Sequence, residues 1–179
     1  MVKKEEFLPD REFALDLLRK LKIQLSVRRH SEKVAEKAIE IAKKVSNVNV
    51  DLNLIEVGAI LHDIGRTKTH ALDHGIVGGV ILRNKGLPRS VSRICETHIL
   101  GGLDKEDAKE VGLPEKDFIP TTIEEKIICL ADKYIAGTRE VTIEDRFNKW
   151  FQKYGRTSLL LKSKHRIEKI QKEIESLMK

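Results

Sequence analysis

Apolar residues recur along this chain at three- and four-residue intervals, and no stretch alternates with a period of two. The pattern predicts helices throughout and no sheet. Asp10 opens a first helix through Phe13, Leu17, Leu18 and Leu21. A second spans about Val27 to Val45, with Val34, Ala38, Ile41, Ala42 and Val45 on one face and His30 near its start. Asp51 caps a third whose apolar residues, Leu54, Ile55, Val57, Ala59, Ile60 and Leu61, are dense enough for a buried central helix. It ends at His62-Asp63-Ile64-Gly65. A fourth covers about Gly75 to Asn84, with Gly86 as its stop. A fifth runs from Pro88 or Arg89 to His98, where Gly101-Gly102 breaks the pattern.

The stretch from Leu103 to Pro120 has turn chemistry and reads as a surface excursion. Thr122 with Glu125 forms a capping box for a sixth helix from Ile123 to about Ala136, closed by Gly137 and carrying Asp132 in its last turns. Thr142 and Asp145 open another, through Phe147, Trp150 and Phe151 to Gly155. The last helix carries a stripe of Leu160, Ile167, Ile170, Ile174 and Leu177, which either docks on the domain's own core or forms a homodimer seam. Repeats, low-complexity tracts and Pro-, Gly- or Ser-rich linkers are absent, so residues 1–179 read as one domain.

A composition of 40% hydrophobic, 35% charged and 4% aromatic residues fits a globular helical protein with an aliphatic core. Cys95 and Cys129 each lie inside an apolar helical pattern without metal-type spacing and read as reduced core residues. No apolar run approaches the roughly 18 residues of a membrane span, and the first residues lack the apolar stretch of a signal peptide, so the expected location is the cytoplasm. The net charge of +6 is uneven: from Arg146 to Lys179 there are ten Lys or Arg against three acids, leaving the rest at −1. Such a tail attracts phosphates or nucleic acid, or is simply a solvated helix face.

Candidate chemistry starts at His62-Asp63. Consecutive residues at a helix end can turn an imidazole nitrogen and a carboxylate oxygen toward one ion, although such pairs also arise by chance on surfaces. Asp132 adds weight, because it follows the apolar run Ile127-Ile128-Cys129-Leu130-Ala131, where an uncompensated charge is expensive and a metal or strong donor must offset it. With His30, these residues make a mixed N/O set suited to iron, manganese, cobalt, nickel or zinc rather than calcium.

These residues resemble the HD superfamily of metal-dependent phosphohydrolases, whose signature is H…HD…D with ligands on separate helices. His30 is followed by Ser-Glu-Lys-Val-Ala, Gly58-Ala59-Ile60-Leu61-His62-Asp63-Ile64-Gly65 reproduces the HDIG form, and Leu130-Ala131-Asp132 supplies the closing aspartate. The resemblance covers about two-thirds of the chain, roughly residues 27–139, and implies an all-α HD-type helical bundle with an extra basic helical extension over about 142–179. His74-Gly75-Ile76-Val77-Gly78 and Glu96-Thr97-His98 further resemble the two-metal subset, which includes bacterial diadenosine tetraphosphate hydrolases and HD-GYP cyclic-dinucleotide phosphodiesterases.

That resemblance implies six ligands, His30, His62, Asp63, His74, His98 and Asp132, for one or two divalent ions, with Asp63 as the bridge. The alternative for His74 and His98 is a helix-end histidine satisfied by backbone groups. His70 is an alternative ligand or a loop residue, and His165 reads as solvent-facing. Gly101-Gly102 stands where the tetraphosphate hydrolases have a further histidine, and the GYP motif is missing, so the exact substrate does not carry over.

The implied reaction is hydrolysis, by a metal-bound hydroxide, of a phosphomonoester or a cyclic phosphodiester in a nucleotide or related metabolite. Arg66 and Lys68, just past the HDIG turn, and Arg139, past Gly137, are the expected phosphate partners, with Asp63, Arg66 and Lys68 in the catalytic set. Each of these cations also reads as an ordinary surface charge, and the direction of Lys133 stays open. The competing reading is an RNA- or nucleotide-binding regulator with little turnover, whose basic tail does the binding.

Overall fold

A computed structural model describes residues 8–178. Nine α-helices account for nearly all of its regular structure: α1 (Arg11–Lys20), α2 (Leu25–Lys44), α3 (Leu52–Leu61), α4 (His74–Asn84), α5 (Arg89–Thr97), α6 (Lys105–Glu110), α7 (Ile123–Tyr134), α8 (Ile143–Tyr154) and α9 (Ser158–Ser176). Short 3₁₀ turns at Ile64–Thr67 and Ile99–Gly101 follow α3 and α5. A two-stranded hairpin, β1 (Ile135–Ala136) and β2 (Arg139–Glu140), pairs Ile135 with Glu140 and Ala136 with Arg139.

Local chemistry sets the helix starts. Asp10, Asp51, Thr122 and Thr142 each accept a hydrogen bond from the backbone N–H three residues on, satisfying donors that the first helical turn leaves unpaired. The box at Thr122 is shifted by one residue, because Glu125 Oε2 accepts from the N–H of Thr121 at 2.8 Å.

Helix α3 is the axis of the bundle. It packs against α1, α2, α5 and α7, and from Ile55 onward every residue except Glu56 is buried, so it has no polar face. Each fully buried Ile or Leu here contributes about 1.5–3 kcal/mol by leaving water. Helix α9 lays Ile167, Ile170 and Ile174 on this same body and buries Leu160 as well, so its stripe docks within the chain. Its end is tied back to the end of α2, where the N–H of Ser46 donates to the carbonyl of Leu177 at 3.0 Å.

Two segments differ from the periodicity. The excursion from Leu103 to Pro120 contains α6 and encloses a satellite core of Ile99, Leu103, Ala108 and Phe118, because its few apolar residues converge although they lack helical spacing. The sixth predicted helix stops two residues early. Ile135 is extended, and Gly137 at φ +64° with Thr138 closes a two-residue hairpin loop that a continuing helix would prevent.

Candidate metal centre

The six expected ligands come from five separated stretches of chain and meet at one end of α3. His30 is in the second turn of α2, and His62 and Asp63 close α3. His74 begins α4, His98 follows α5, and Asp132 is near the end of α7. Three overlapping groups have donor atoms within 4.8 Å of one another: His30-His62-Asp63, His62-His98-Asp132 and Asp63-His74-His98.

The close approach has a steric origin. A Cβ built on Gly65 would lie 1.9 Å from the carbonyl oxygen of His74 and 2.7 Å from the amide nitrogen of Gly78. Only a residue without a side chain lets the turn after Asp63 rest on α4, and this contact brings Asp63 and His74 together.

All four imidazoles are anchored in the same way. Nδ1 faces a backbone carbonyl in each: Gly137 for His30 at 2.8 Å, Ala59 for His62 at 2.7 Å, Ala71 for His74 at 2.6 Å and Cys95 for His98 at 2.7 Å. A carbonyl only accepts, so each Nδ1 carries a hydrogen and each Nε2 is turned inward, the arrangement that orients metal-bound histidines.

Asp132 Oδ1 is 3.0 Å from His30 Nε2 and 3.7 Å from His62 Nε2. Asp63 Oδ1 faces His74 Nε2 at 3.0 Å and His98 Nε2 at 3.5 Å, while its Oδ2 faces His62 Nε2 at 3.7 Å. The Nε2 atoms of His74 and His98 are 3.3 Å apart, and the buried His62 Nε2 and Asp63 Oδ1 have no hydrogen-bond partner among the described residues. Inward nitrogens, orphaned buried atoms and mixed N/O chemistry fit a divalent transition ion.

Electrostatics point the same way. Burial alone would raise the Asp63 carboxyl, but His62, His74 and His98 outweigh it and hold it well below the usual carboxylate range. Asp132 behaves likewise, with burial opposed first by Lys133 and then by His30 and His62. Burial, with repulsion from His62 and His74, pushes His98 down to about 4 against the pull of Asp63. Burial also disfavours a charged His62, yet Asp63 and Asp132 prevail and raise it. The thiols take no part: burial pushes Cys129 up to about 11 and Cys95 well above its ordinary value.

The expected cations separate in space. Arg66 sits at the centre, its Nε donating to Asp63 Oδ2 at 2.7 Å. Lys68 and Arg139 are exposed, and neither lines the cavity of about 480 Å³ that opens over the cluster between His30, Asp63, Arg66, His70, Asp132 and Trp150. His70 is on that rim, and His165 is exposed on α9.

Two more cations take a place at the site, one whose direction the sequence left open and one it gave no sign of. Lys133 is 3% exposed; its Nζ bonds Asp132 Oδ2 and donates to the carbonyl of His98 at 3.1 Å, which makes it the strong donor that a buried Asp132 requires. Arg146 donates to the carbonyl of Asp132 at 2.9 Å and lies over the Trp150 ring, 5.2 Å from its centroid. Position beside a ligand is the one signal the sequence carries for Lys133, and the N-terminal turn of α8 offers none for Arg146.

Comparison with known proteins follows the geometry. The chain is 41% identical over 170 residues to an uncharacterised protein of Methanocaldococcus jannaschii, covering 94% of this chain and 98% of that one. It is 41% identical over 142 residues to a tRNA (cytidine(56)-2′-O)-methyltransferase of Thermoplasma volcanium and 35% identical over 172 residues to that of Picrophilus torridus. The matches take 79% and 96% of this chain but span only 41% and 48% of the two methyltransferases.

Among solved structures, the HD domain of the L. monocytogenes phosphodiesterase PgpH matches at a TM-score of 0.54 in its complex with cyclic-di-AMP and 0.52 in a second structure of the domain. Each match is 20% identical and covers 92% of this chain and at least 94% of the other, a likeness of fold. The HD domain family pattern matches residues 27–137, the span that contains all six converging groups. This chain therefore belongs to the HD domain family.

Proposed function

We propose that the protein is a metal-dependent phosphohydrolase acting on a phosphomonoester or cyclic phosphodiester of a nucleotide or related metabolite. The observation that carries this reading is the inward convergence of four Nδ1-anchored imidazoles on two carboxylates held ionised. One or two divalent transition ions held by His30, His62, Asp63, His74, His98 and Asp132 would supply Lewis acidity toward phosphorus and make water nucleophilic near neutral pH.

The chain's own groups do the rest. Asp63 turns Oδ1 toward His74 and His98 and Oδ2 toward His62, so both of its oxygens face imidazoles that would hold a metal with it. Arg66, with Nε bound to Asp63, keeps its terminal nitrogens for phosphoryl oxygens at the cavity mouth and offsets charge as the ester is attacked. Lys133 holds Asp132 in place from the side of the protein interior. The nucleotide class is supported by the cyclic-di-AMP complex of the structural neighbour.

A second reading, an RNA-binding regulator with little turnover, is favoured by the relatives named tRNA methyltransferases and by Arg139, Lys149 and Lys153, which gather with Trp150 and Tyr154 around a neighbouring groove. The test is metal content and hydrolysis of bis-p-nitrophenyl phosphate and p-nitrophenyl phosphate by anaerobically purified wild type and Asp63→Ala, reloaded with manganese, cobalt, nickel or iron. Metal-dependent turnover of either ester, lost in the variant, is expected. A wild type that stays inert with every metal and a nucleotide panel, yet binds RNA with a steep salt dependence, would replace the hydrolase by the regulator.

A further inference from the structure

Beside the cavity over the metal centre lies a second one of about 470 Å³, and the two share Arg66, His70 and Trp150 along their common rim. The second is walled by Leu72, Leu100, Trp150, Tyr154, Leu159 and Leu160. We infer that this is the base subsite: it takes the nucleobase of a nucleotide whose phosphate lies at Arg66 and the metal centre. The inference rests on the proposed hydrolysis and adds the place where the base of a nucleotide substrate is held.

Three observations carry it. Continuity comes first, since among the described residues this space alone of the cavities beside the metal centre shares Arg66 itself, so a ligand with its phosphate at Arg66 reaches it directly past His70 and Trp150. Its volume is within the range of about 300–1,000 Å³ usual for small-molecule sites. A mainly apolar chamber with two aromatic side chains suits a flat ring, which stacks on such faces, whereas a bare sugar would set most of its hydroxyls against carbon, with Thr157 and the rim residues Arg66 and His70 as the polar side chains within reach besides the Tyr154 hydroxyl.

The second observation is where the walls come from. Trp150 and Tyr154 are on α8 and Leu159 and Leu160 on α9, all beyond the residues 27–137 that match the family pattern. The extension thus completes a chamber that the HD core alone leaves open, which gives the two terminal helices a role in selecting substrate.

Third, Leu100 is held at φ +52°, ψ 30°, a left-handed conformation unfavourable for any residue with a side chain. Two glycines, Gly101 and Gly102, follow it and would tolerate that conformation freely. Strain kept at a bulky residue beside two glycines is the kind that marks binding sites, and here it turns an apolar side chain into the chamber wall.

The chain has one tryptophan, and it stands between the two cavities. Trp150 emission, excited at the red edge to avoid base absorption, therefore reads occupancy without any turnover. The metal-loaded 179-residue chain is titrated with adenosine 5′-monophosphate, ribose 5-phosphate and octyl phosphate. Expected is about tenfold tighter binding of the nucleotide than of the sugar phosphate, as stacking one base provides. Tyr154→Ala, at an exposed position, and Leu159→Asp should each shrink that ratio.

Equal affinity for nucleotide and sugar phosphate, or a preference for octyl phosphate, would overturn the base subsite. Nucleotide preference without hydrolysis of any ester would leave the subsite standing and remove the hydrolase reading. Ester hydrolysis without nucleotide preference would do the reverse.

Discussion

Replacing Gly65 with alanine tests whether the metal centre depends on the contact between the HDIG turn and α4. Gly65 does not have a positive φ, so alanine is compatible with its backbone, and the whole effect must come from the added carbon. That carbon would lie 1.9 Å from His74 O, 2.7 Å from Gly78 N and 2.8 Å from His74 C. Real side chains essentially never approach below 3.0 Å, so the turn and α4 must part by about 1.1 Å.

Backbone atoms cannot rotate away as a side-chain tip can, so the cost lies at or above the upper end of ordinary overpacking, about 3 kcal/mol. For a chain of this size that lowers Tm by about 6–12 °C. The same displacement moves His74 relative to Asp63, and misplacing reacting groups by 1 Å can cost about a hundredfold in rate. Gly86→Ala is the matched control. At φ +75° with nothing within 4 Å, it should lose only the 1–2 kcal/mol or so of a left-handed alanine and keep full metal binding. Urea unfolding and competition with a fluorescent chelator read the two quantities. If Gly65→Ala stays within 0.5 kcal/mol or so of wild type and keeps its metal affinity, the contact does not organise the site.

Two further outcomes follow from buried charges outside the ligand set. Lys133→Met should destabilise the metal-free protein by about 3 kcal/mol, because Asp132 and the His98 carbonyl lose their shared donor, and by less once a metal compensates Asp132; melts with and without metal check both, and a loss under about 1 kcal/mol would refute it. Asp107→Asn should cost about 1 kcal/mol at pH 7 by loosening α6 from Lys162 and Arg166 on α9, solvent screening keeping the value small. Although burial raises the Asp107 carboxyl, those two cations hold it below its ordinary value. Its contribution is therefore present above the unfolded pKa of about 3.9, and the gap between wild type and variant should close as pH falls below about 4.

Helical period and caps make most of the fold legible in the sequence: α1, α3, α7 and α8 start where a side-chain cap marks them, and α2, α4 and α5, which have no side-chain cap bond, still begin within two residues of their expected starts on period and Pro or Gly signals alone. The six converging groups are legible for a different reason: apolar context marks Asp132, where an uncompensated charge is expensive, while the rest of the set, His74 and His98 above all, comes from the resemblance to the HD superfamily motifs. What escapes is whatever depends on a partner distant in sequence. The satellite core under α6 forms because Phe118 meets Leu103 across an isolated bridge, which no period announces. Lys133 points to Asp132 because the carbonyl of His98, 35 residues earlier, awaits it. Lys68 and Arg139 are close to the motifs along the chain but do not line the cavity, since proximity in sequence does not fix position past a turn.

The dispersal of the six groups over α2, α3, α4, α5 and α7 bears on assembly as well as chemistry. No local segment holds more than an adjacent pair, so an ion held by all six would find its full set of donors only when the bundle has closed. Ligation of that kind acts on the folded state alone, and at a hundred times the dissociation constant it adds about 2.7 kcal/mol. A chain short of metal would open more often and be cleared sooner by proteases, so metal supply would govern how long each molecule survives.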